Sequence, residues 1–135
     1  MIPVAIDTGV FVALFNGDDK DHKRAVLFLK GNRRPLFTSL ACVTEASYLL
    51  NFNQSAQIDF ISLIPNSGIE IQHIGAVDLS GISSMMDKYR SLPMDFADAT
   101  LVYLLNVNNS DLISTVDGDF TIYRTSRGKE FKILL

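Results

Sequence analysis

Fifteen acids against twelve bases in 135 residues leave a formal net charge of −3. A chain this long and this rich in aliphatic residues is expected to form one globular domain over residues 1–135 and not a disordered chain. The small negative charge argues mildly against nucleic-acid binding, unless bound cations neutralise some acids locally, and no apolar run is long enough to span a membrane.

Val4-Ala5-Ile6 predicts a short buried strand, and Asp7-Thr8-Gly9 a turn into a helix over Val10 to Phe15. The first residues carry no basic region or cleavage site, so they read as a strand and not a signal peptide. Asp7 thus falls at the carboxyl end of a strand, where open α/β sheets place their ligands. It is equally well placed to cap the helix that follows.

Asp21 is expected to cap a second helix from His22 to about Lys30. Lys23, Arg24, Lys30, Arg33 and Arg34 make this the most basic part of the chain, either as a solvated helix face or as a rim for phosphates. His22 has no metal-ligand spacing around it and reads as a surface residue.

Pro35 to Thr38 suggests a second strand, leading into a helix from Ser39 to Leu50 with Ser39 or Thr38 as its cap. Glu45 lies in this helix among Ala41, Cys42, Ala46 and Leu49, either at an exposed edge or as a functional carboxylate. Cys42 is the single cysteine, which excludes an internal disulfide and a cysteine metal cluster and suits a reducing cytoplasm. It is expected to be a small buried residue. A further helix is predicted from Ala56 to about Ile64, ended by Pro65-Asn66-Ser67-Gly68.

Ile69 to Ile74 alternates apolar and polar residues and predicts a strand with His73 on its polar side. Val77 to Arg90 has Leu79, Ile82, Met85, Met86 and Tyr89 at helical spacing, with the methionines as core filler. After Pro93 comes a helix that is apolar almost all round and so expected to be buried, through Phe96, Ala97, Ala99, Leu101, Val102, Leu104 and Leu105. Asp95 and Asp98 share one face of its first turns, held there by the helix N-terminus or by a cation. Leu112 to Val116 predicts another buried strand, ending in Asp117-Gly118-Asp119-Phe120, and Phe131 to Leu135 a last one.

The alternation of strands and helices predicts an α/β fold, a three-layer α/β/α sandwich around a mainly parallel sheet. Asp7 and Asp117 would then meet at one edge, with Glu45 and Asp98 reaching it from helices. Carboxylates so gathered repel one another and must protonate or bind cations. Without a cysteine or histidine cluster, oxygen ligands point to Mg²⁺ or Mn²⁺ and to metal-assisted phosphodiester hydrolysis. No Walker-type loop and no Ser/His/Asp arrangement is present.

These residues resemble the PIN-domain family, and among its members the VapC-type toxin ribonucleases. The resemblance is carried by Asp7-Thr8-Gly9-Val10-Phe11, by Thr44-Glu45-Ala46, by Asp95-Phe96-Ala97-Asp98-Ala99 and by Ser114-Thr115-Val116-Asp117-Gly118-Asp119-Phe120, in the family's order. It implies an endoribonuclease with an acidic site for Mg²⁺ or Mn²⁺. The family's four acids map onto Asp7, Glu45, Asp98 and Asp117, with Asp119 able to share or replace the last. Asp7, Asp98 and Asp117 would position the metal and Glu45 would orient or deprotonate water. Thr115, and less strongly Thr8, would hydrogen-bond a carboxylate or a metal-bound water, and Asp95 would be a supporting or capping acid. Lys23, Arg24, Arg124 and Arg127 are the candidates for holding the RNA backbone.

The same resemblance implies a homodimer silenced by a cognate antitoxin; apolar helix surface around Phe28 and Leu50 is where such contacts are expected. Other readings are a PIN nuclease of RNA processing or structured DNA, a non-cutting RNA- or protein-binding module, and a receiver-like acidic pocket. The last lacks its strand-end lysine pattern.

Overall fold

The computed structural model describes residues 1–135. Five strands form one parallel sheet: β1 (Val4–Ile6), β2 (Leu36–Ser39), β3 (Glu70–Gln72), β4 (Leu112–Ser114) and β5 (Lys132–Ile133). Their spatial order is β3-β2-β1-β4-β5. The chain therefore builds outward from β1 to β3, then crosses back to place β4 on the other side of β1. Such a reversal opens a crevice beyond the carboxyl ends of the two central strands.

Six helices surround the sheet: α1 (Thr8–Phe15), α2 (His22–Gly31), α3 (Leu40–Leu49), α4 (Gln54–Ser67), α5 (Leu79–Lys88) and α6 (Phe96–Val107). Side chains alternate across a strand, so neighbours face opposite layers. Ala5, Phe37 and Ile113 join one cluster with Ile82 of α5 and Leu101 and Leu105 of α6. Ile6 joins the other, with Val10 and Phe11 of α1 and Phe60 and Ile64 of α4. Phe60 seats its ring 5.1 Å from Phe11 and 5.6 Å from Phe15. The expected α/β/α sandwich is the observed one. No helix is long and apolar enough to cross a membrane.

The boundaries differ from the sequence reading in instructive places. α4 does not stop before Pro65 but runs through it to Ser67, and Gly68, at φ 76°, ends it in the left-handed region. The helix expected from Val77 starts with a 3₁₀ turn over Ala76–Asp78, and Val77 is exposed. β4 stops at Ser114, leaving Val116 exposed on the turn. The last strand keeps only two residues, Lys132 and Ile133. Asp21 precedes α2 without a side-chain cap bond, because its carboxylate takes Arg24 instead. Phe96, expected to be buried, is 45% exposed, since it stands at the first position of α6 before that helix enters the core. Leu50, expected at a contact surface, is fully buried; Tyr48, Leu49 and Phe52 carry the exposed apolar surface beside it.

Candidate metal centre

β1 hands the chain straight to α1 through Asp7, which is the cap of that helix and also one of three clustered acids. Its Oδ1 accepts from the Thr8 N–H at 2.8 Å. Its own N–H donates to the Ser114 carbonyl, so the ends of β1 and β4 stay in register. One residue beyond, the Thr115 hydroxyl donates to Asp7 Oδ2 at 2.8 Å and accepts from the Asp117 N–H at 2.9 Å. Asp117 Oδ1 in turn accepts from the Asp119 N–H, closing the turn that starts a 3₁₀ helix over Gly118–Thr121.

Asp98 arrives from α6. Asp95 is the N-cap of that helix and takes the Asp98 N–H on its Oδ1 at 2.8 Å. The capping task thus falls to Asp95, and the Asp98 side chain is left for the site. Oxygens of Asp7, Asp98 and Asp117 lie within 4.8 Å of one another. Asp7 and Asp98 are buried and Asp117 is half-buried.

The electrostatics follow from that crowding. Burial raises the Asp7 pKa to about 7, with the charges of Asp117 and Glu45 adding and the bonds from Thr115 and Thr8 opposing. Burial likewise raises Asp98 to about 8, reinforced by Asp7, Asp95 and Asp117 and opposed by a bond from Tyr123. The thiol of Cys42, buried as expected, is pushed up to about 12 by its apolar surroundings and then by Asp7. Two carboxyls that resist ionisation beside a third must hold protons or share a cation. The donors are all carboxylate oxygens, which fits a hard divalent ion such as Mg²⁺ or Mn²⁺ and not a sulfur- or imidazole-seeking one.

The other candidates divide. Glu45 is half-buried on α3, close enough for its charge to bear on Asp7, but its oxygens lie outside the trio. Asp119 also lies outside it. Thr8 serves Asp7 through its backbone, and its buried hydroxyl has no hydrogen-bond partner. Of the four basic candidates, Lys23 stays exposed and Arg24 is paired with Asp21. Arg124 is committed elsewhere: one guanidinium nitrogen donates to the carbonyls of Thr121, Ile122 and Tyr123. Arg127 shares a pocket with Asn106 and Lys129 at the carboxyl end of α6. That is about 12 Å along the helix axis from Asp98, at the opposite edge of the sheet.

One partner of the clustered acids was not anticipated. Tyr123 is fully buried, and its hydroxyl donates to Asp98 Oδ2 at 3.1 Å. Burial and the Asp98 charge lift its phenol well above the ordinary tyrosine range, so it stays a donor at any working pH. The only sequence signal was its three-residue spacing from Phe120, one helical turn past the acids.

No curated protein sequence matches the chain. In fold, the chain is similar to the crystal structure of Mycobacterium tuberculosis VapC20, titled a sarcin-ricin loop cleaving toxin. The TM-score is 0.83 at 21% identity, over 88% of this chain and 93% of that one. The PIN domain model matches residues 4–125, from the first strand past the last of the clustered acids. A match over that much of the sequence, with the acids gathered at the strand ends, shows that this chain belongs to the PIN-domain family.

Proposed function

We propose that this protein is a metal-dependent endoribonuclease, the toxin of a type II toxin–antitoxin pair, using Mg²⁺ or Mn²⁺ held by Asp7, Asp98 and Asp117. The observation that carries this reading is the approach of three carboxylate oxygens to within 4.8 Å at the crevice between β1 and β4. Such an ion, when bound, lowers the pKa of an attacking water and stabilises the leaving oxygen of an in-line displacement.

The chain's own residues do the rest. Thr115 and the Thr8 N–H fix both oxygens of Asp7. Asp98 and Asp117 each have one oxygen bonded to the protein and one without a protein donor. Glu45, at the rim, orients or deprotonates the water. Asp119 stands next in line to Asp117 and can share its load through a bound water. Of those basic candidates the exposed Lys23 remains for the RNA backbone, with Arg24 beside it held by Asp21, a contact read by charge and not by sequence.

The likeness in fold to a sarcin-ricin loop cleaving toxin supports the toxin assignment. With it come a cytoplasmic place of action, a homodimer and a cognate antitoxin whose basic group reaches the acids. The exposed Tyr48, Leu49 and Phe52 offer an apolar surface for such contacts.

The test is cleavage of a labelled RNA panel, including tRNA and a sarcin-ricin hairpin, with Mg²⁺, Mn²⁺ or EDTA, beside an Asp98→Ala control. Cutting that needs metal and is lost in the control is the expected result. Well-folded protein that neither cuts nor binds metal would make this a non-catalytic binding module.

A further inference from the structure

We propose that Tyr123 is a positioning residue of the metal centre, its hydroxyl holding Asp98 in the orientation that lets three carboxylates share one cation. The inference rests on the metal-dependent reading above and adds to it a residue outside the acidic motifs.

Asp98 sits at the third position of α6, where nothing in the helix itself restrains its carboxylate. Tyr123 makes the one hydrogen bond that the protein gives to that group, at Oδ2. Oδ1 is left facing no protein donor. A short carboxylate fixed at one oxygen has one defined direction for the other, and that is what a ligand in a shared site requires.

The phenol is itself held from every side. Tyr89 and Phe120 meet its ring edge-on, each with centroids 5.1 Å away. The Tyr123 N–H donates to the Asp119 carbonyl, and the Arg124 guanidinium ties up the carbonyls of Thr121, Ile122 and Tyr123. The Arg124 N–H donates to the Tyr89 hydroxyl, joining the segment to the rim of α5. Residues 117–123 therefore act as one stiff bracket. It presents Asp117 at one end, and at the other it grips Asp98 from a different helix. The relative placement of two ligands is set by this bracket and not by α6 alone.

The deciding variant is Tyr123→Phe, which keeps the ring and its edge contacts and removes only the hydroxyl. Mn²⁺ binding to the whole protein is measured by calorimetry and by electron paramagnetic resonance. Tyr103→Phe is the control, because it deletes a phenol–carboxylate bond of the same kind, to Asp78, outside the acid cluster. The expected result is a loss of about 10–100-fold in Mn²⁺ affinity for Tyr123→Phe and none for Tyr103→Phe. Cleavage by Tyr123→Phe should recover as Mn²⁺ is raised. Unchanged Mn²⁺ affinity in Tyr123→Phe, with or without a lower melting temperature, would overturn the positioning role while leaving the metal reading intact. Wild-type protein that binds no Mn²⁺ would overturn both.

Discussion

The Thr115 hydroxyl donates to Asp7 Oδ2 at 2.8 Å, joining residues 108 positions apart across the ends of β4 and β1. The Thr115 hydroxyl oxygen also accepts the Asp117 N–H. One side chain thus ties two of the clustered acids together. Thr115→Val keeps the shape and removes both bonds. It is expected to weaken Mn²⁺ binding about tenfold and to cost about 1–3 kcal/mol, because the Asp117 N–H loses its acceptor. Thr115→Ser should restore most of both. Calorimetric titration and thermal melts of the three proteins decide the matter; a Val variant that binds Mn²⁺ like wild type would remove Thr115 from the site.

Asp7→Asn is expected to abolish metal-dependent cleavage, a loss of several kcal/mol in transition-state stabilisation or about 10³-fold and more. The fold should survive, because a carboxyl whose pKa lies near 7 is already partly neutral without metal. In EDTA at mildly alkaline pH the variant should melt no lower than wild type, since it relieves repulsion among the acids. Full activity in Asp7→Asn would refute its assignment as a ligand.

The raised carboxyls also set a pH dependence of stability. Asp7 and Asp98 titrate near 7 and 8 in the folded protein, against 3.8 as the ordinary value. Between those limits the folded state holds protons that the unfolded chain has released, so stability falls as pH rises through the window. Metal-free protein should therefore lose melting temperature from about pH 5 to about pH 8.5. Saturating Mn²⁺ competes with those protons and should cancel or invert the slope. Parallel scans in EDTA and in Mn²⁺ test this, and identical slopes would contradict it.

Gly9 marks a close approach. A Cβ placed there would lie 2.5 Å from Val116 Cγ2. Val116 stands between Thr115 and Asp117, so the clash would push on the site through two residues at once. Gly9→Ala should cost about 1–3 kcal/mol by overpacking and lower cleavage as well. Gly9→Ala combined with Val116→Ala should recover most of both losses. A double variant no better than the single one would show that the glycine is required for another reason.

Much of this protein was written locally. β1 and β4 are short, mainly apolar runs with acids within three residues of their carboxyl ends, and α1, α3 and α6 have caps placed one residue before an apolar pattern. Binary pattern and capping act over a few residues, so they can be read in order along the chain. The three-layer fold follows from strands alternating with helices. That acids would gather at the strand ends follows from the fold.

Which acids meet, and what holds them, was decided only by the tertiary structure. Asp95 and Asp98 are equivalent as a pattern, yet one caps α6 and the other enters the trio. Asp117 and Asp119 flank the same glycine, and the turn brings only Asp117 to the other two. Arg124 and Arg127 looked alike as cations near the acids; one braces a 3₁₀ turn and the other lies at the far end of α6. Tyr123 carried no chemical motif at all, because its role depends on a hydrogen bond to a residue 25 positions earlier. The sequence by itself determined the elements and the supply of acids, since propensity, capping and periodicity are short-range. The choice among those acids fell to packing and turn geometry, which aim side chains through contacts that no local pattern records.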